Sequence, residues 1–209
     1  MVVSYGLFLK NARETSLSSW LQAIGDLDDA PLLEQRLADA LRHSVVQVAS
    51  WSPPEWRPAI LWSHLLWQLP LWQRHWQKEI LPAAVLLSPT PEMARLEERW
   101  RAGTPLLTAW LDQWILLWPV RRGQWADALG ALSDMLQNHA RAFPTLPDAD
   151  AARQARQQLQ QRLRTLFRRH IGQPAAIFIH LALMAMDFER LRGGLLLRAL
   201  FPDHAGESV

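Results

Sequence analysis

Apolar positions along the chain recur at spacings of three and four, and no stretch alternates apolar with polar residues as a half-buried strand would. The recurrence is clearest over 151–170. There Ala152, Ala155, Leu159, Leu163 and Leu166 form one stripe, and arginine and glutamine fill most of the rest. Proline marks candidate helix starts at Ser52-Pro53-Pro54-Glu55, Ser88-Pro89-Thr90-Pro91-Glu92, Thr104-Pro105 and Gln173-Pro174, because a first turn tolerates its missing N–H. Asp29 is placed to cap a helix with Pro31 in its first turn. The pattern predicts helices over 4–12, 17–24, 30–49, 55–69, 71–87, 91–102, 105–118, 123–142, 150–170 and 174–201, with Pro82 kinking or splitting the fifth.

Short connections between so many helices predict antiparallel neighbours, as in bundles. The expected fold is all-α, an irregular bundle of about eight to ten helices. It forms a single domain, 1–209, whose best internal breaks are 143–150 and 88–91. If it divides at the second break, the sub-bundles are 1–88 and 89–209.

Composition supports helix: nine glycines in 209 residues, with alanine, leucine, glutamine and arginine dominant. Charge is uneven. Residues 1–150 carry a net charge of −3 and residues 151–209 one of +5, which points to an anionic partner for the C-terminal part, with a solvated helix face as the blander account. Twenty of the 22 basic residues are arginine, the side chain that pairs bidentately with carboxylates. The absence of cysteine excludes disulfides, thiolate metal sites and a cysteine nucleophile. No signal-peptide pattern opens the chain and no apolar run reaches 18 residues. The expected location is therefore cytoplasmic, with membrane association only peripheral and through partners.

Twelve tryptophans lie between Trp20 and Trp125. Those at Trp62, Trp67, Trp72 and Trp76, and at Trp110, Trp114 and Trp118, line either a core or an open aromatic groove. Leu65, Leu66, Leu69, Leu71, Leu111, Ile115 and Leu116 interleave with them as core neighbours would. The last three tryptophans are four apart and stack on one side of a helix, whose nearly all-round apolar character suits a central position. Asp112 is its single acid.

Candidate chemistry is sparse. The seven histidines match no metal-ligand spacing. His75 and Glu79 are one turn apart, as an ordinary surface contact would be, and His180 reads as a satisfied core histidine. Gly193-Gly194 inside a helical pattern suggests a kink or a close helix crossing. No phosphate loop, nucleophile elbow or carboxylate pair is present, so the expected protein is not an enzyme and binds neither metal nor cofactor.

The arginines at 153, 156, 162, 164, 168 and 169 cover much of the 151–170 helix outside its apolar stripe. No helix-turn-helix pattern or aromatic interleaving accompanies them, which disfavours nucleic acid. Alanine and leucine give too small an apolar face for a membrane surface. Reading on, an apolar helix over 175–186 follows the Pro174 break, then Glu189-Arg190-Leu191-Arg192 and Leu195-Leu196-Leu197-Arg198-Ala199-Leu200-Phe201-Pro202. With Tyr5 and Asn11-Ala12-Arg13, this stretch resembles the C/d family of V-type and archaeal-type ATPase subunits.

The resemblance implies a non-catalytic subunit in ion transport, seated on the membrane rotor ring and receiving the central stalk. Arg153, Arg156, Arg162, Arg164, Arg168, Arg169 and Arg192 would then meet acidic or helix C-terminal groups of neighbouring subunits. A different reading is a cytoplasmic helical chaperone or adaptor that binds peptides or apo-proteins through a tryptophan-lined groove.

Overall fold

Two of the longest helices start at an aspartate cap. Asp29 accepts a 2.9 Å hydrogen bond from the Leu32 amide, and Pro31 occupies the first turn of α3 (Ala30–Trp51), as expected. Asp148 does the same for α9 (Ala149–Arg169), 2.7 Å from the Ala151 amide. The computed structural model of the chain describes residues 5–15, 18–25, 28–77, 91–120 and 122–200, without the side chains at 67, 70, 71, 74, 75 and 144. Its other α-helices are α1 (Tyr5–Arg13), α2 (Ser18–Leu21), α4 (Arg57–Trp62), α5 (Leu69–Trp76), α6 (Pro91–Arg101), α7 (Leu106–Leu116), α8 (Gln124–Ala142) and α10 (Pro174–Leu200). The fold is all-α, with no strand among the described residues. The Pro82 kink, the His75–Glu79 pair and the break at 88 lie outside the described residues and side chains.

One predicted helix is not continuous. Instead of 55–69, the chain makes a 3-10 turn at Pro54–Trp56, then α4, a 3-10 segment at Ser63–Gln68, and α5. Pro70 is the local reason: it has no backbone N–H to carry the hydrogen-bond ladder on, and the turn before it tightens.

The apolar side chains form two clusters that share α3 and α10. The larger takes Val45 and Ala49 of α3, the buried residues of α4 to α8, Leu159 and Leu163 of α9, and Phe178 and Ile179 of α10. The smaller takes Leu9, Trp20 and Leu21, the first half of α3 (Leu33, Leu37, Leu41), and Phe188, Leu191 and Leu195 of α10. Both draw on residues from either side of position 88. Helices of 22 and 27 residues run about 33 and 40 Å, long enough to pass through both clusters.

Where α10 crosses α1 the helices are close. A Cβ on Gly194 would stand 2.7 Å from the Phe8 ring, whereas Gly193 faces open space. The glycine pair thus marks the close crossing. Burial along the first half of α10 is less complete than its composition suggests: His180 is exposed, not a core histidine. The helices packed on α10 leave that side to water, and His180 occupies it.

Candidate docking surface

Helix α9 presents its arginines according to its own periodicity. Leu159 and Leu163 are buried, and Ala152, Ala155 and Leu166 half-buried, so the predicted apolar stripe faces the bundle. Gln160 donates to Asp187 of α10 at 3.1 Å and fixes the helix's rotation on that side. All six arginines are exposed, but they are not equivalent. Arg153 pairs with Asp150 at 2.7 Å, one turn back on the same helix. Arg156 lies over the Phe143 ring, 4.8 Å from its centroid. Arg162, Arg164, Arg168 and Arg169 make no ion pair among the described residues. Arg168 and Arg169 also occupy the last turn, where cations suit the helix dipole.

Two of these four border a groove. Arg162 and Arg169 are two turns apart on one flank. With Gln158, Gln161, Thr165, Leu166 and Met135 of α8 they line an open groove of about 370 Å³. Nothing in the sequence pointed to Met135, Gln158, Gln161 or Thr165, because spacing along α9 does not say which flank meets α8. The only signal was a large apolar residue, Met135, at the margin of the α8 stripe of Ala128, Leu129 and Leu132.

Arg192 lies elsewhere. It forms a two-pronged ion pair with Glu34 of α3, at 2.7 and 2.5 Å, and reaches Glu189 at 3.3 Å. The two side chains are 22 % and 12 % exposed. Burial opposes the guanidinium charge, but the hydrogen bond and charge of Glu34, then Glu189, outweigh it and hold its pKa above the ordinary value. This arginine joins α10 to α3.

The tryptophans are mostly interior. Trp62, Trp72, Trp110, Trp114 and Trp118 are buried and Trp76 half-buried; the Trp67 side chain is outside the described ones. Trp62 stacks on Trp110 at 6.5 Å and Trp110 on Trp114 at 5.7 Å, while Trp118 meets Trp114 edge-on at 5.0 Å. The edge contact arises because α7 ends at Leu116, so Trp118 does not continue the stack. The helix is also less central than expected. Asp112 and Leu116, one turn apart, both face water, and Asp112 pairs with Arg99 at 2.5 Å. Trp51, at 81 % exposure, and Trp125, at 44 %, are exposed.

The indole N–H groups of Trp110, Trp114 and Trp118 are buried without a hydrogen-bond partner among the described residues. Trp110 and Trp114 line a small, largely apolar cavity of about 50 Å³ with Leu132, Phe178, Leu181 and His64. Burial holds His64 below the usual imidazole range, against the hydrogen bond between its Nδ1 and the Leu61 carbonyl. His139 is lowered too, by burial and then by the Arg156 charge. Among the described residues no three histidine, aspartate or glutamate side chains gather as a metal set, and no helix is long and apolar enough to cross a membrane. No protein family, curated protein or solved structure matches the chain.

Proposed function

We propose that the protein is a non-catalytic helical subunit that docks on an acidic protein partner through the outward face of α9. The observation that carries this reading is four exposed arginines, Arg162, Arg164, Arg168 and Arg169, without an ion pair among the described residues. Guanidinium groups with no carboxylate of their own are suited to bidentate pairing with a partner's. The most specific form is a coupling role like that of the C/d subunits of V-type ATPases, to which residues 151–202 are similar. The buried tryptophans support docking over a peptide-binding chaperone, which would need those rings at the surface. The test is capture of partners from the native cell with the wild-type chain and with all four arginines changed to glutamate. The reading expects an acidic partner, ATPase stalk or rotor subunits in its specific form, retained by wild type and lost by the variant. Retention by both sinks it.

A further inference from the structure

The arginine flank of α9 has a counterpart in charge on the neighbouring helix. Asp127 and Asp134 are exposed on α8, seven residues apart, and neither has an ion pair among the described residues. Seven residues span about 10.5 Å along a helix axis, the same separation as Arg162 to Arg169. Between the acids lies Ala131, exposed, one turn before Met135. Between the arginines lies Leu166, which with Met135 floors the groove. Each helix thus offers two like charges two turns apart with a small apolar contact between them, and the signs are opposite.

We infer that a second copy of this chain seats on this surface, with α8 of each copy over α9 of the other. Helices joined by a connection as short as 143–148 run antiparallel. With Met135 facing Arg162 and Leu166, the centres of the acid and arginine pairs lie within about a turn of each other. A two-fold axis along the groove sets Asp127 and Asp134 of one copy against Arg169 and Arg162 of the other. Symmetry repeats each contact, giving four charge pairs around a centre of two Met135, two Leu166 and two Ala131 side chains. Exposed ion pairs are individually weak and screened by salt, so the dimer is expected to be reversible and salt-sensitive. The contact uses only half of the unpaired arginines. Arg164 and Arg168 lie toward the opposite side of α9 and stay open to the heterologous partner, so the inference extends the docking reading without depending on its specific form.

The test is the mass of the full chain in solution, by light scattering on a sizing column at about 50 mM and about 500 mM salt. The expected result is twice the 24.0 kDa of one chain at low salt, shifting towards the single mass at high salt. Arg162→Glu with Arg169→Glu, and separately Asp127→Arg with Asp134→Arg, are each expected to weaken self-association by at least about tenfold. All four side chains are exposed, so circular dichroism should be unchanged. Mixing the two variants supplies opposite charges at both contacts and is expected to restore the dimer. A wild-type monomer at low salt, variants that stay dimeric, or a mixture that fails to reassociate would each overturn the inference. Partner capture by Arg164→Glu with Arg168→Glu reads the docking proposal by itself, since that variant leaves the dimer contact intact.

Discussion

A tryptophan's contribution here depends on where its single donor goes. The Trp62 indole donates to the Trp110 carbonyl at 3.1 Å, whereas the Trp114 indole is buried with no acceptor among the described residues. Both rings lie in the same stack, so phenylalanine removes comparable apolar area from each. Trp62→Phe additionally deletes a made hydrogen bond, while Trp114→Phe deletes a buried donor that is already unsatisfied. The first is therefore expected to destabilise by about 1 kcal/mol more than the second, read as the difference in urea unfolding free energy. Equal costs would mean that the Trp114 donor finds a buried water. The number of rings and their leucine neighbours were visible in the sequence. Which indoles are satisfied was not, because a donor's partner sits on another helix.

At the scale of elements, the two adjacent glycines of α10 separate helix propensity from packing. Gly193 faces open space, so Gly193→Ala should stabilise by up to about 1 kcal/mol through propensity. Gly194→Ala gains the same propensity but drives a methyl group into the Phe8 ring. The Arg198 guanidinium, one turn on in α10, lies over that ring, 4.1 Å from its centroid. The overlap costs about 1–3 kcal/mol, so the net change is expected to be destabilising. Melting temperatures of the two variants on opposite sides of wild type would show it. A glycine pair inside a helical pattern announced a close crossing. Only the packed helices say which of the two glycines makes it.

Across the whole molecule, α3 and α10 bind the two apolar clusters into one body, and Arg192–Glu34 is the charged link between them. Removing one partner leaves the other half-buried and unpaired. Arg192→Ala is expected to cost about 2 kcal/mol, less than a fully buried pair because both groups keep some water. Arg162→Glu with Arg169→Glu, both exposed, should change unfolding free energy by no more than about 0.5 kcal/mol each. Urea titrations of the two variants distinguish an arginine that holds the fold from arginines that are free to bind.

The sequence by itself determined the all-α class, the cap at Asp29 and the apolar stripe of α9. Those depend on the 3.6-residue period and on groups within one turn of each other. It also determined that six arginines crowd one helix. Only the tertiary structure decided that Arg192 belongs to a fold-holding ion pair, that Arg156 lies over the Phe143 ring, and that Arg162 and Arg169 border a groove. It likewise decided that Leu116 and His180 face water and that α4 and α5 are separated by a tightened turn. Spacing fixes a side chain's direction about its own helix axis. Which neighbour lies in that direction depends on how the helices pack, and residues as far apart as Glu34 and Arg192 settle that together.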